Sequence, residues 1–492
     1  MRGSIAGVLL LALILTVEEG GRLERQATGL PAGQVLSPTV SSASGSAFIV
    51  YLPLVLRGED PPLPKRQVNV PHLSEPLGQD FPRMAIFWFG KVTPTANYAD
   101  VRVAYTSSEL VVYVAIIDRR LWFATSPSPQ TLTAWDAVTL LLHLDGNVGT
   151  APTSSSYRFV GGLSNGDTSG RYQAAYRGTG SGWTSASIPF TAVAGWRGDR
   201  LNDDGDDRGW AVTFRIPFTS LGRSGPPPEG TIWGLGLMVH DRDDGGGTLI
   251  PATPWPERMN PDAPSTWGRL RFGLPGYTPP PVQPVGTVTI RHQLNGAVVK
   301  DAAVGGYTVC GDGRDFWTQW GETPEGFYNP ERSDFNIQNQ IDIADWPCFS
   351  KYYVAFPLDA VPRGKVILSA TLTLHLMGNA GPNPPPSWIQ VLTVAQDWDD
   401  QTLTWNNAPL AAENLGGTWV YPVTNWPGWP GIPYHWDVTY AVAQAYTAGQ
   451  PLRLAMYSAD ADYHSGKYFV SSDTGDWNAT ARPTLTIVWG EP

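Results

Sequence analysis

Charged residues and thiols are scarce in this chain of 492 residues. Asp, Glu, Lys and Arg make up 16% of it, two cysteines are present, and the formal net charge is −11. No basic cluster is present that would replace the counterions of a phosphate backbone, so we exclude nucleic acid as a partner. Beyond the N-terminus, no apolar run approaches the ~20 residues that a membrane-spanning helix needs.

Signatures of catalysis are also scarce. The chain has no H-E-x-x-H zinc motif and no phosphate-binding glycine loop after a strand. Carboxylate pairs are too numerous for a glycosidase dyad to be recognised by counting them. We therefore predict that the protein is not an enzyme.

The N-terminus has the pattern of a secretory signal. A short basic start precedes an apolar stretch from Ile5 to Leu15, and polar residues follow it. Residues 1–20 are predicted to form a signal peptide, or an N-terminal anchor because no A-x-A cleavage site follows. The predicted location is therefore secreted or at the cell surface.

Proline-rich segments divide the chain. Residues 21–67 form a Ser/Thr/Pro-rich linker that contains a short apolar segment, 48–57, and residues 276–286 form a second linker with three consecutive prolines. Such a segment favours a stiff, extended conformation. We expect it to hold two domains, 68–275 and 287–492, apart.

Both predicted domains have the pattern of β-structure. Val101–Tyr105, Leu110–Ile117 and Ala137–Leu144 are β-branched and aromatic runs separated by polar turns, and similar runs resume after residue 287. One helix is predicted over Tyr440–Thr447. The predicted fold class is all-β: two antiparallel β-sandwich domains of the jelly-roll type.

Ordered motifs in the N-terminal region resemble the family 9 carbohydrate-binding modules. These motifs are VRVAYTSSELVVYVAIIDRR (101–120), WDAVTLLLHLDGN (135–147), DRGWAVTFRIPFTSLG (207–222), WGLGLMVHDRDDGG (233–246) and WGRLRF (267–272). The resemblance implies a β-sandwich, often with structural calcium, and a sugar site lined by two tryptophans.

The same resemblance indicates which residues bind sugar. Trp135 lies close to the position of the family's first tryptophan, and Arg158 matches its arginine. Trp255 or Trp267 takes the place of the second tryptophan. The glutamate that contacts sugar hydroxyls in the family is replaced by Thr139.

The C-terminal region resembles the DNRLRE domain, also called carbohydrate-binding module family 96. Its ordered motifs are KYYVAFPLDAVPRGKVILSATLTLHL (351–376), VAQDWDDQTLTWNNAP (394–409), HWDVTYAVAQAYTAGQPLRLAMYS (435–458) and FVSSDTGDWNATARPTLTIVWG (469–490). The resemblance implies a jelly roll of the kind found on secreted polysaccharide-active and surface proteins.

A loop rich in proline and glycine adds three candidate sugar-binding residues, Trp426, Trp429 and Trp436. The C–H bonds of a sugar ring pack on indole faces, and loop tryptophans are suited to that contact. Packing beneath the loop is an equally good interpretation of the same three residues.

Two acidic loops offer the hard oxygen ligands that calcium prefers. The first contains Asn202, Asp204 and Asp206, and the second contains Asp241 and Asp243. A structural calcium is a candidate cofactor at either loop. The alternative for both is a solvated hairpin turn.

These features together predict a secreted or cell-surface, non-catalytic protein whose partner is a polysaccharide or cell-wall glycan. One alternative is a structural or adhesion surface protein in which the modules are spacers. Another is a haem-binding electron-transfer module, because Met238 and His240 alternate on one predicted strand. A Soret band in the visible spectrum would distinguish that last alternative.

In an exported chain, two cysteines favour a disulfide between Cys310 and Cys348 over free thiols. Closing this loop restricts the unfolded chain, and the expected stabilisation is roughly 3–4 kcal/mol. Mass spectrometry of unreduced peptides from exported protein should find the two residues joined. Two free thiols in that material would contradict the pairing.

Overall fold

A computed structural model describes residues 66–246, 250–306, 313–324, 333–381 and 384–492. The chain divides into two compact units, Met1–Leu63 and Pro64–Pro492. The first unit lies outside the described residues, and so do the predicted signal segment, the apolar segment 48–57 and Cys310. Within the described residues, no helix has the length and apolar character needed to cross a membrane.

The second unit is built almost entirely of strands. In the N-terminal half the described strands are β1 (Gln67–Val70), β2 (Ala85–Thr93), β3 (Ala96–Tyr105), β4 (Glu109–Ile117), β5 (Ala137–His143), β6 (Ser156–Gly162), β7 (Gln173–Gly178), β8 (Trp183–Ser185), β9 (Thr191–Arg197), β10 (Gly209–Pro217), β11 (Ile232–His240), β12 (Thr253–Trp255) and β13 (Gly268–Phe272). Short 3-10 turns connect several of them.

The C-terminal half adds further strands and one α-helix, α1 (Thr439–Thr447), close to the predicted helix. Its described strands are β14 (Pro284–Arg291), β15 (Lys300–Gly305), β16 (Asp334–Ile337), β17 (Ser350–Phe356), β18 (Val366–Asn379), β19 (Ser387–Val394), β20 (Ala411–Val420), β21 (Ile432–Asp437), β22 (Leu452–Ser458), β23 (Lys467–Val470) and β24 (Thr484–Gly490). The predicted all-β fold class is confirmed.

The strands form three sheets. The shared sheet has the order β15-β17-β22-β19-β20-β1-β13-β11-β5-β6-β7-β8, with β12 beside β11. The central sheet is β2-β3-β4-β10-β9, and the C-terminal sheet is β14-β24-β18-β23-β16 with β21 beside β18. Strand β1 joins the two halves of the shared sheet, because it pairs with β13 along its length and with β20 at Gln67 and Glu413.

The central sheet is buried on both faces along β2, β3 and β4, whereas its edge strand β9 exposes one face. Val112 and Val114 of β4 belong to the first core, which fills the space against β5, β6 and β11 of the shared sheet. Val111 and Tyr113 face the other way, into a junction core shared with β17, β19 and β22. Burial on both faces explains why Leu110–Ile117 is a continuous apolar run rather than an alternating one. A second core lies between the C-terminal half of the shared sheet and the C-terminal sheet.

The expectation that residues 276–286 hold two domains apart is wrong. The junction core places the two sandwiches in direct contact, within the single compact unit Pro64–Pro492. The linker itself lies on the C-terminal sandwich, where the Tyr277 hydroxyl donates to the Ile367 carbonyl at 2.8 Å. The physical reason is the apolar second face of the central sheet, whose exposure to water would be unfavourable.

A buried carboxylate, Asp100 of β3, connects the two sandwiches by hydrogen bonds. It accepts from the hydroxyl of Tyr98 at 2.7 Å, from the hydroxyl of Tyr457 at 2.8 Å and from the side-chain amide of Asn339 at 3.0 Å. Tyr457 and Asn339 belong to the C-terminal half, so one anion is held by donors from both. A buried charge is tolerated when several hydrogen bonds satisfy it.

The buried side chain of Lys351 lies in an aromatic cage beside this carboxylate. Its Nζ donates to the Tyr98 hydroxyl at 3.0 Å and lies 3.6 Å from the centre of the Trp405 ring and 4.4 Å from that of Trp88. Burial lowers the pKa of Lys351 well below its ordinary value, and the charge of Asp100 opposes that change. The cage again combines residues of both sandwiches.

Side-chain amides of the C-terminal half also hold the edge strand β2. Gln390 donates from Nε2 to the Met84 carbonyl at 2.6 Å and accepts from the Ile86 amide at 3.3 Å. Asn406 accepts from the Val92 amide at 2.8 Å and donates to the Val92 carbonyl at 2.9 Å. These bonds satisfy backbone groups of β2 and of the preceding residue Met84, on the side where no described strand pairs with β2.

We expect Asp100→Ala to lower the free energy of unfolding by about 3 kcal/mol, because it leaves the Lys351 cage without its counter-charge and three donors without their acceptor. Chemical denaturation of the full chain measures the loss. Asp145→Ala, an exposed carboxylate on the same sandwich, is the control and should change stability by less than about 0.5 kcal/mol. Equal stability of the two variants would contradict the role of Asp100.

Candidate functional site

Three aspartates from separate strand ends converge in the N-terminal sandwich. Asp118 follows β4, Asp136 precedes β5 and Asp241 follows β11. All three are buried, and one carboxylate oxygen from each lies within 4.8 Å of the other two. We call Asp118, Asp136 and Asp241 the aspartate trio.

The hydrogen bonds of the aspartate trio are incomplete. Asp136 accepts from the amides of Trp122 at 2.7 Å and Arg242 at 2.9 Å. Oδ2 of Asp118 and Oδ1 of Asp241 are buried without a hydrogen-bond partner among the described residues. Buried oxygens of this kind require an explanation such as a bound ion.

Burial, reinforced by repulsion between the carboxylates, raises the pKa of all three acids. The pKa values of Asp118 and Asp136 lie well above the ordinary range, and that of Asp241 is raised to about 7. A divalent cation would remove this repulsion, and calcium takes carboxylate oxygens as ligands. The residues therefore fit the calcium that the family 9 resemblance implies.

The calcium ligands predicted from the 202–206 loop have other partners. Asn202 accepts from the Phe123 amide at 2.7 Å and donates to its carbonyl at 3.1 Å, and Asp206 accepts from Arg119 Nε at 2.7 Å. Asp204 is exposed. Among the described residues, the groups of acidic, His or Cys side chains close enough to share an ion do not include this loop, so the cation site there stays a prediction.

Only part of the second predicted calcium loop contributes to the aspartate trio. Asp241 is a member of the trio, but Asp243 is not. Asp243 is half-buried, and burial raises its pKa while the charges of Arg120 and Arg119 oppose that change. Sequence analysis did not identify Asp118 and Asp136 as candidate ligands. Both residues lie in motifs that resemble family 9, Asp118 in 101–120 and Asp136 in 135–147. They are distant from Asp241 along the chain, so the sequence alone does not show that the three meet.

The outer face of β6 and its neighbours contains the predicted sugar ligand Arg158. Its guanidinium lies 5.3 Å from the centre of the Tyr176 ring, and its buried Nε has no hydrogen-bond partner among the described residues. Burial lowers the pKa of Arg158. A half-buried guanidinium with an unused donor is suited to bind a ligand oxygen.

Next to Arg158, Thr139 and His240 are hydrogen-bonded to each other, with 2.8 Å between Oγ1 and Nε2. Burial and then the charge of Arg158 lower the pKa of His240 to about 4. Thr139 stands where the family 9 modules that the sequence resembles have a glutamate. Its partner on this face is His240. His240 does not offer Nε2 as a free haem ligand, and Met238 packs against a small cluster around Leu141.

Two tryptophans expected to bind sugar in this sandwich are buried instead. Trp255 is 1% exposed and packs on Phe87 in the first core, with ring centres 4.2 Å apart. Trp267 is buried, stacks parallel to Trp183 at 6.4 Å and donates from Nε1 to the Asn260 carbonyl. Neither ring is available for stacking on a sugar, which corrects the prediction for both.

Trp135, the remaining tryptophan of that prediction, is half-buried. Its ring lies beneath the guanidinium of Arg242, 4.4 Å from the ring centre. Trp135 directly precedes Asp136 of the aspartate trio in the sequence. The structure therefore does not bring Trp135 and Arg158 together through any described contact.

Three exposed tryptophans form a cluster on the C-terminal sandwich. Trp426, Trp429 and Trp477 are 56%, 46% and 68% exposed. Trp429 lies between the other two, with ring centres 4.9 Å from Trp426 and 4.8 Å from Trp477, and both pairs are nearly perpendicular. We call Trp426, Trp429 and Trp477 the tryptophan platform.

Two chain segments position the platform. Trp426 and Trp429 lie in the loop before β21, and Gly431 (φ 99°) brings that loop against β18, where a Cβ would lie 2.7 Å from the Leu376 carbonyl oxygen. Trp477 lies in the turn Asp476–Ala481 between β23 and β24. Sequence analysis missed Trp477, which only the pairing of β23 and β24 with β18 brings near Trp429.

Trp436 is not part of the platform. It is 1% exposed on the inner side of β21, and its Nε1 donates to the Ile389 carbonyl at 2.8 Å. The prediction that it binds sugar is therefore wrong, whereas Trp426 and Trp429 do lie at the surface.

One hydrolase-like signature is present, since residues 162–166 spell G-x-S-x-G. Ser164 is buried in the loop after β6, and its hydroxyl donates to the Asp167 carbonyl at 3.4 Å. A nucleophile elbow needs an exposed serine between a strand and a helix. This segment is followed by β7 instead, so it has no such geometry.

Known proteins with structures similar to part of this chain were found. Two are structures of a family 9 carbohydrate-binding module from Caldicellulosiruptor kristjanssonii, with cellotriose and with glucose, at 17% and 16% identity and TM-scores of 0.31 and 0.29. They cover 45% and 44% of this chain and 100% of their own. A putative carbohydrate-binding protein from Bacteroides uniformis has 14% identity and a TM-score of 0.33, over 42% of this chain and 99% of its own.

The C-terminal half matches a family profile. The profile of carbohydrate-binding module family 96 matches residues 332–487, which include the tryptophan platform. No curated protein shows significant similarity to the chain. The match confirms the family 96 resemblance seen in the sequence and, with it, the prediction of a carbohydrate-binding protein.

Proposed function

We propose that this protein is a non-catalytic binder of polysaccharide outside the cell and that the tryptophan platform is its principal contact with the glycan. The observation that carries the proposal is three adjacent indoles left about half exposed within the region that matches family 96. An exposed apolar cluster on a soluble domain marks an interaction site.

The arrangement of the platform suits a sugar chain. Edge-to-face packing fixes the three rings, so little conformational freedom is lost when a ligand binds. Because neighbouring rings are nearly perpendicular, their faces are turned in different directions. Successive sugar units of a bent or helical chain present their ring faces in different directions as well.

Replacing Trp429 or Trp477 by Ala should weaken retention on the bound polysaccharide about ten- to hundred-fold, corresponding to about 1–3 kcal/mol by analogy with aromatic stacking on nucleobases. Pull-down of the full chain on insoluble cellulose, insoluble chitin, a soluble β-glucan and a polyuronate measures it. Folding should be unchanged, because both rings are exposed.

Tyr463→Ala is the matched control, because Tyr463 is 57% exposed but contacts His464 rather than the platform. Its retention should equal that of the unaltered chain. If none of the four polysaccharides retains the full chain, the carbohydrate proposal fails, and a structural role at the cell surface becomes the better account.

We further propose that the aspartate trio binds a structural calcium ion. The support is three buried carboxylates with two unpartnered oxygens, at the ends of strands from both sheets of the N-terminal sandwich. A cation there would tie β4 to β5 and β11. It would stabilise the folded state in proportion to its binding.

Removing calcium with EDTA should therefore lower the melting temperature of the full chain, and added calcium should restore it. Asp241→Asn should abolish this response, whereas Asp206→Asn should retain it, because Asp206 pairs with Arg119. An identical melting temperature with and without chelator would contradict the calcium site.

A further inference from the structure

The outer face of the C-terminal sheet has a straight row of polar side chains. Arg291 of β14 pairs with Thr484 of β24, Thr484 pairs with Thr373 of β18, and Thr373 pairs with His435 of β21. Residues beside them in sequence, such as Ile290, belong to the second core, so the row faces outward. With three strand spacings of ~4.8 Å, the row spans roughly 14 Å.

His375 connects this row to the tryptophan platform. It is two residues from Thr373 on the same face of β18, and its Nδ1 lies 3.1 Å from the carbonyl oxygen of Ala481, in the turn that contains Trp477. Its Cβ is 3.5 Å from the position that a Cβ on Gly431 would take, in the loop of Trp429. The row and the platform therefore form one continuous surface.

The side chains of the row, together with His375, offer both donors and acceptors. Nε of Arg291 is buried and has no hydrogen-bond partner among the described residues. Nδ1 of His375 must donate to the Ala481 carbonyl, which leaves Nε2 of the neutral ring as an acceptor. The Thr373 hydroxyl is 3.0 Å from Nδ1 of His435. Sugar hydroxyls donate and accept, which matches this set.

Burial, together with the charges of His435 and Arg291, lowers the pKa of His375, and the bond to Ala481 opposes the change. The His375 ring is therefore neutral at pH 7. Two carboxylates on neighbouring segments already have partners, since Asp437 accepts from Thr439 and Asp476 pairs with Arg482.

We propose that the glycan surface continues from the tryptophan platform past His375 to Arg291, and that it takes an extended stretch of uncharged, hydroxyl-rich glycan. This inference rests on the proposed function and adds a second set of contacts to the same site. Arg291 donates to a sugar oxygen and His375 accepts from a sugar hydroxyl. Neither residue was a sequence-based candidate.

The test uses the full chain and whichever of cellulose, chitin, soluble β-glucan or polyuronate retains it best. Arg291→Ala should weaken retention about ten-fold and Thr373→Val by a smaller factor, because Val keeps the shape of Thr and removes its hydroxyl. Arg363→Ala, on an exposed turn residue away from this face, is the matched control and should have no effect. Thermal melts verify that each variant is folded.

A pH series separates an uncharged from an acidic ligand. Protonation of His375 removes its acceptor, so retention of an uncharged glycan should weaken as the pH falls through the lowered pKa of His375. His375→Gln, which keeps an acceptor and does not titrate, should flatten this dependence. Retention that strengthens as the pH falls, or a polyuronate as the best ligand, would overturn the inference.

The inference and the proposed function fail in different ways. If Trp429→Ala abolishes retention while Arg291→Ala leaves it unchanged, the platform binds alone and the extended surface is refuted. If no polysaccharide retains the chain, both are refuted.

Discussion

Burial of the central sheet on both faces is the constraint on which the rest of the second unit depends. One face packs on the N-terminal half of the shared sheet, and the other packs on β17, β19 and β22. The second contact places Asp100 and Lys351 out of water, where donors and aromatic rings from both halves surround them. Two sandwiches that look separable in sequence therefore share a core, and the charged residues at their junction require that contact.

This packing also limits where a ligand can bind. Aromatic residues of the inner layers, Trp255 among them, are used to fill cores, so the available indoles lie on the outermost layer. The C-terminal sheet is such a layer, and loops at its end expose the tryptophan platform. On the N-terminal side, Arg158 lies half-buried beside Tyr176, and the described residues of that half include no tryptophan as exposed as those of the platform. The proposed glycan contact therefore lies mainly on the C-terminal sandwich.

The sequence predicted elements whose cause is local, and it failed where the cause is a contact between distant segments. Runs such as Ile232–His240 became strands because β-branched and apolar residues favour a buried sheet. Trp429 and Trp436 stand in one loop-like stretch, yet the register of β21 turns only Trp436 inward. Trp477 joins the platform through the pairing of β18, which spacing along the chain does not reveal. The aspartate trio escaped recognition for the same reason, since its members come from three strand ends.

The shared sheet has a consequence for how the gene for such a protein can be rearranged. A domain bounded by linkers can in principle fold alone, and can then be exchanged between chains as a cassette. Here a cut at residues 276–286 would separate Gln390 and Asn406 from the β2 backbone groups they satisfy, and it would expose the Trp88 side of the central sheet. Neither half would be a self-contained cassette after such a cut. A rearrangement that keeps these contacts has to transfer both halves together, although the sequence resembles two families.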